Sequence, residues 1–208
     1  MEQTVRKESV TLTDILRKRF KYLLDPIAGF LNRLGLMPNT VTILGLVGNT
    51  IGALFLALGN LTVGGLIILV MGPIDALDGS MARLRGEPTD FGAFVDSVTD
   101  RYSELVILGG LLIHFLVVGN TTGSILTYLA AAGSVLVSYV RARAQSVGYE
   151  TKIGLLSRVE RFLVLVPCLI VGQPIYAMWV LAIFTNFTAL QRIWHVRKQF
   201  YAKHPINR

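Results

Sequence analysis

The chain has 208 residues, 52% of them hydrophobic, with a mean hydropathy of +0.56, which is more apolar than an ordinary water-soluble domain. Twenty Lys and Arg against 13 Asp and Glu give a net charge of +7, a balance that suits nucleic acid or an anionic membrane surface. Charge placement excludes nucleic acid: Lys and Arg are missing from 34–82, 102–140 and 162–191, which leaves no soluble basic face.

A membrane span needs about 20 apolar residues, so each basic-free stretch holds most of two spans and a tight outer turn. Every Lys and Arg then falls on one side, which the positive-inside rule makes cytoplasmic. The expected fold is all-α and integral to the inner membrane, with six transmembrane helices preceded by a cytoplasmic amphipathic interfacial helix. Residues 1–37 form the N-terminal segment, and 38–208 the six-helix domain with a short basic tail. Met1 to Asp14 is too polar for a signal peptide, so the first span inserts the chain. The single cysteine, Cys168, excludes an intrachain disulfide and reads as a packing residue.

In chain order, Leu12, Ile15, Leu16, Phe20, Leu23, Leu24, Ile27 and Leu31 recur at helical spacing, with Arg17, Lys18, Arg19 and Lys21 between them. This predicts a helix over 12–34 lying on the inner leaflet, packed on the protein's own cytoplasmic face, or both. Pro38 and Asn39 end it. The spans follow at roughly 39–58, 62–84, 89–117, 124–145, 157–171 and 175–194, and the tail carries Arg197, Lys198, Lys203 and Arg208. Gly48 and Gly52 form a Gly-x-x-x-Gly pair that serves internal packing or a homodimer contact. His114, His195 and His204 share no ligand spacing, and Trp179 and Trp194 suit interfacial anchoring.

Seven of the 13 acidic residues fall between Asp75 and Glu104, across the second and third spans. An isolated charge at mid-bilayer costs about 2.5 to 3.5 kcal/mol, so these acids need compensation. Asp75, Asp78, Gly79, Ala82 and Arg83 share an arc of about 140° on the second span at roughly 100° per residue. On the third span Gly92, Asp96 and Asp100 recur every four residues. Antiparallel neighbours joined by the Arg85 to Pro88 connection bring the two stripes together near the inner end. Four carboxylates at close range cannot all stay ionised without cations. Arg83, Arg85 and Arg101 would serve as a structural ion network, but the small residues beside the acids leave volume that salt bridges do not need. Oxygen-only ligands suit magnesium or manganese, and two such ions suit phosphoryl chemistry.

The string Asp75-x2-Asp78-Gly79-x2-Ala82-Arg83-x8-Gly92-x3-Asp96-x3-Asp100 resembles the signature of the CDP-alcohol phosphotransferase family at every one of its fixed positions. The likeness extends to the six spans, the amphipathic helix and the Pro38-Asn39-x-Val41-Thr42 start of the first span. Members transfer a phosphatidyl or related group from a CDP-linked donor to an alcohol and release CMP. The resemblance implies that Asp75, Asp78 and Asp96 hold two divalent cations, Mg2+ or Mn2+, with Asp100 as ligand, general base or both. It also implies that Gly79, Ala82 and Gly92, with Asn39 and Thr42, receive the CDP donor, and that Arg83 meets its phosphate.

Arg141, Arg143, Lys152, Arg158, Arg161 and Arg192 lie at the cytoplasmic ends of spans four to six. The positive-inside bias accounts for basic residues there, but arginines beside a phosphotransfer site also suit an acceptor with its own phosphate. The run Ser138-Tyr139-Val140-Arg141-Ala142-Arg143-Ala144-Gln145, with Glu160-Arg161 further on, resembles the phosphatidylinositol phosphate synthase branch. That likeness implies acceptor-phosphate binding by Arg141, Arg161 and Arg192. Arg141 stands where Lys is usual and Gln145 where Glu is common. The expected partners are therefore CDP-diacylglycerol, a phosphorylated polyol, the lipid bilayer and a second copy of the chain. Inositol phosphate is the expected acceptor and glycerol 3-phosphate the alternative. Intramembrane aspartates also occur in cation transporters, but those sites lie near the midplane and often within inverted repeats, and neither feature is present in this sequence. A membrane prenyltransferase would need a longer chain and more spans.

Overall fold

The computed structural model describes residues 12–86, 89–151 and 153–204, and among these the regular secondary structure is entirely helical. The helices are α1 (Leu12–Arg33), α2 (Pro38–Ala57), α3 (Leu61–Arg85), α4 (Asp90–Val117), α5 (Thr121–Ser146), α6 (Arg158–Ile170) and α7 (Pro174–Lys203). Helices α2, α3 and α5 are long and apolar enough to cross a membrane. The hydrophobic periods thus locate all seven helices, with one sizeable difference at the C-terminus. There α7 continues nine residues beyond the expected end at 194, because its last turns carry contacts of their own. Gln199 Nε2 donates to Glu150 O at 2.6 Å, and Lys203 Nζ lies 4.7 Å from the centre of the Tyr149 ring.

The α2–α3, α4–α5 and α6–α7 turns share one solution. Gly59, Gly119 and Gly172 have φ of 85°, 73° and 75°, left-handed values at which a side chain is strained, so each glycine stops its helix and frees the chain to reverse. In the second turn Asn120 Oδ1 accepts from Gly123 N at 2.8 Å and caps α5.

Helix α2 packs on α3, α3 on α6, α6 on α7, α7 on α5, α5 on α4, and α4 back on α2. The six helices form a closed ring. The half of the ring nearer these three turns is filled by Leu56, Ile68, Leu111, Leu169 and Met178, all fully buried. The buried polar and charged groups Thr42, Asp78, Arg161 and Arg192 lie toward the opposite end. Helix α1 packs on α3, where Leu24 and Ala28 bury against Val41, Leu77 and Met81. Asn32 Nδ2 donates to Met81 O at 3.2 Å, while Arg85 donates to Asn32 Oδ1 at 2.7 Å and to Leu36 O at 2.6 Å. Of the two placements expected for this helix, packing on the protein's own face is observed. The side chains of residues 12–21 and 23 lie outside the description.

Glycines set the closest approaches within the ring. A Cβ on Gly52 would meet Ile68 Cγ1 at 2.8 Å, and one on Gly48 would overlap the Met71 side chain. The Gly-x-x-x-Gly pair is therefore occupied by the α2–α3 contact. Gly110 on α4 is less forgiving, since its Cβ would run into the backbone of Ala53, which cannot swing aside. Gly110→Ala is expected to cost about 1 to 3 kcal/mol of stability through overpacking. Gly109→Ala, with open space around it, is expected to leave the thermal midpoint in detergent unchanged or slightly raised. Equal midpoints for the two variants would contradict this account of the α2–α4 contact.

Candidate active site

Asp78 of α3 and Asp96, Asp100 and Glu104 of α4 are buried or half-buried at the charged end of the ring. Asp78 is 7% exposed. Its Oδ2 lies 2.5 Å from the hydroxyl of Thr42, which also lies 3.1 Å from Pro38 O. With one proton, Thr42 donates to one of these at a time, and a bond to Asp78 orients that carboxylate from the first turn of α2. Asp96 and Asp100 are half-buried two and three turns into α4. The Asp75 side chain lies outside the described residues, as do Glu87, Pro88 and Lys152. Among the described residues no three carboxylate, imidazole or thiolate groups converge at metal-binding distance. The donor set that is described is nonetheless all oxygen, which fits a hard divalent cation.

The expected nucleotide side is open. A Cβ on Gly79 would meet only Arg83 Nη1, at 3.5 Å, whereas one on Gly92 would meet Thr89 Oγ1 at 3.1 Å and Asn39 Oδ1 at 3.8 Å. Asn39 and Gly92, 53 positions apart in sequence, are thus neighbours across the α2–α4 contact, and space remains beside Gly79 and the half-buried Ala82. Arg83 is exposed and donates to Ser80 Oγ at 2.8 Å along its own helix.

Helices α4 and α6 are not among the closely packed pairs, and long side chains span the distance between them. Arg158 Nη1 lies 2.6 Å from Asp100 Oδ1. One turn on, Arg161 reaches Glu104 through Nε to Oε1 at 2.6 Å and Nη2 to Oε2 at 3.0 Å, and donates from Nη1 to Leu156 O at 3.1 Å. Asp100 and Glu104 continue the four-residue stripe that begins at Gly92, so the ladder follows from helix geometry. Of the arginines expected to compensate the acids, Arg101 places Nη1 3.9 Å from Asp100 Oδ2, yet that nitrogen is buried without a hydrogen bond. Arg85 is used by α1 and by Leu36.

The three arginines expected at the acceptor side converge. Arg192 is 7% exposed and donates to Ile153 O at 2.8 Å and to Val137 O at 2.6 Å. Arg141, Arg161 and Arg101 all lie within electrostatic range of it. Arg141 is exposed at the end of α5. Arg161 and Arg192 also hold the 149–157 loop by its carbonyls, a task that sequence reading missed because it depends on where that loop folds. The pairings of Arg158 with Asp100 and of Glu104 with Arg161 escape sequence reading for a similar reason, although Glu104 lies four residues from Asp100 and Arg158 three from Arg161. The start of α6 is fixed by a capping box, with Ser157 N donating to Glu160 Oε2 and Glu160 at the third helical position.

The likeness to known proteins follows the same segments. The phosphatidylinositol phosphate synthase of Mycobacteroides abscessus is 36% identical over 190 residues, covering 87% of this chain and 86% of the relative. The archaetidylinositol phosphate synthase of Methanothermobacter thermautotrophicus is 35% identical over 186 residues, 86% and 91% of the two chains. The crystal structure of the Mycobacterium tuberculosis phosphatidylinositol phosphate synthase with CDP-DAG bound superposes with a TM-score of 0.80 at 33% identity, over 84% of this chain and 94% of that one. The same enzyme in complex with manganese and citrate gives 0.79 over 84% and 88%. The family model described as CDP-alcohol phosphatidyltransferase matches residues 35–191. With the fixed motif, the ring that presents it and these matches in agreement, the chain belongs to the CDP-alcohol phosphatidyltransferase family.

Proposed function

We propose that the protein transfers the phosphatidyl group of CDP-diacylglycerol to a hydroxyl of inositol phosphate and releases CMP. The observation that carries this reading is the grouping of Arg141 and Arg161 around Arg192 at the end of the helix ring where Glu104 of α4 holds Arg161. A neutral polyol offers such arginines only uncharged hydroxyl oxygens, whereas a phosphate takes a guanidinium in charge-assisted bidentate geometry. The relatives named for the same acceptor class support it, as does the open space at Gly79 on the donor side.

In this reading Asp75, Asp78 and Asp96 hold the divalent cations, and Thr42 keeps the Asp78 carboxylate aimed. The chemistry that a magnesium or manganese pair supplies is neutralisation of charge on the pyrophosphate and on the departing CMP. Gly79, Ala82 and Gly92, with Asn39, leave room for the nucleotide, and Arg83 swings from Ser80 to the donor phosphate. Asp100 accepts the proton of the attacking hydroxyl. A cation transporter or prenyltransferase would not share the family match over 35–191.

The six helices of the ring all cross the bilayer in this proposal. Ile43, Val47, Ile51 and Leu54 of α2, with Leu58 just beyond its end, are exposed in one helical stripe, an outward apolar surface that lipid would cover. Helix α4 falls short of a plain apolar span because Asp96 to Glu104 face inward. At about 1.5 Å per residue, the 13 residues of α6 give a short wall that recesses the acceptor side below the inner surface. The charged end then faces the cytoplasm, and α1 lies in the inner leaflet as well as against α3. Val147→Cys, at the charged end, is expected to react with an impermeant thiol reagent only from the cytoplasmic face, and Thr122→Cys only from outside. The opposite pattern would invert the topology.

The acceptor is tested by following CMP release from CDP-diacylglycerol with inositol phosphate, glycerol 3-phosphate, serine and free inositol. Inositol phosphate is expected to be used fastest. A higher kcat/KM with glycerol 3-phosphate would reassign the acceptor, and equal use of free inositol would remove the phosphate from recognition.

A further inference from the structure

We propose that Glu104, one turn beyond the motif on α4, is a positioning residue for the acceptor. It clamps the Nε–Nη2 edge of Arg161 so that the adjoining Nη1–Nη2 edge of the guanidinium is presented to the acceptor's phosphate. This rests on the reading of Arg161 as an acceptor ligand.

A guanidinium carries five N–H donors. Arg161 spends Nε–H and one Nη2–H on the two oxygens of Glu104, and one Nη1–H on Leu156 O. One N–H remains on each terminal nitrogen, the pair that grips a phosphate in two parallel bonds. Arg161 is 4% exposed, so its rotamer is set by these contacts rather than by solvent.

Two further observations separate positioning from plain stability. The Glu104–Arg161 bridge spans two helices that are not closely packed on each other, and a buried ion pair is in general no better a stabiliser than apolar side chains of the same volume. Arg161 also sits in the company of Arg101, Arg158 and Arg192, whose repulsion would turn an unclamped guanidinium away. Glu104 supplies the opposing charge without occupying the edge that faces the ligand.

The test compares Glu104→Gln, Arg161→Ala and the double variant in the full-length protein, with KM for inositol phosphate and for CDP-diacylglycerol measured separately. Glu104→Gln keeps the shape and removes the charge. It is expected to raise the acceptor KM by about 10-fold or more, as for a lost charge-assisted bond, while the donor KM stays within about twofold. In the Arg161→Ala background the same change is expected to add nothing, because the group it positions is gone. Unchanged acceptor KM in Glu104→Gln, with Arg161→Ala defective, would overturn the proposal and leave the acceptor site standing. Unchanged acceptor KM in Arg161→Ala would remove the acceptor site itself. Should Glu104→Gln fail to fold, Glu104→Asp decides: it keeps the charge and, one methylene shorter, no longer holds the Nε–Nη2 edge of Arg161 in place. The same acceptor-selective loss supports the proposal, and an unchanged acceptor KM overturns it.

Discussion

Asp78→Asn is expected to lower kcat by about 1,000-fold or more while the protein stays folded, because it removes a charge aimed at the phosphoryl centre together with only one local hydrogen bond, the one that Oδ1 accepts from Gly79 N. The replacement has the same shape, and its amide oxygen still accepts from the Thr42 hydroxyl, which lies 2.5 Å from Asp78 Oδ2. A structural ion network would respond differently, since taking one charge from a buried set leaves its partners uncompensated and costs the fold. Turnover and thermal midpoint measured on the same detergent-purified samples separate the two. Activity that only tracks the folded fraction would return Asp78 to a structural role. Exhaustive chelation of the wild-type protein is expected to reproduce the defect and added Mg2+ or Mn2+ to reverse it. Undiminished transfer without divalent cations would sink the two-metal reading.

The second large effect is expected at the acceptor arginines. Arg141→Ala and Arg161→Ala should each raise the KM for inositol phosphate by about 10- to 100-fold, the loss of one charge-assisted phosphate contact, with a much smaller change for CDP-diacylglycerol. Ground-state contacts of this kind affect KM before kcat. The two residues differ in what else they lose. Arg141 is exposed at the end of α5, so its variant should fold normally and report binding alone. Arg161 is buried against Glu104 and Leu156 O, so its variant should also lose stability by about 3 to 5 kcal/mol, the usual result of leaving one member of a buried pair behind. A positive-inside role for both residues predicts misinsertion or no effect, and no defect confined to one substrate. Unchanged acceptor KM in both variants would leave only the family-level reaction.

Much of this molecule is legible in the chain itself. The seven helices follow from apolar periodicity and glycine punctuation, which are local properties: a helix face is set by residues three and four apart, and a turn by one residue that tolerates positive φ. The motif is local too, because 26 consecutive residues carry all eight fixed positions, and helix geometry alone aligns Asp75 with Asp78 and Asp96 with Asp100. The sequence by itself therefore determined the all-helical class, the two acid stripes and the family. Tertiary structure decided which helices touch and which distant side chains meet. The ring order α2–α3–α6–α7–α5–α4 brings Asn39 to Gly92 and Arg192 to Val137 and Ile153. It also decided that Glu104 and Arg158, outside the motif, hold Arg161 and Asp100, and that α7 runs on to Lys203 to meet the Tyr149–Glu150 loop. These pairings join residues 39 to 58 positions apart. At that separation helical periodicity carries no information, and the contact is set by the path of the chain around the ring.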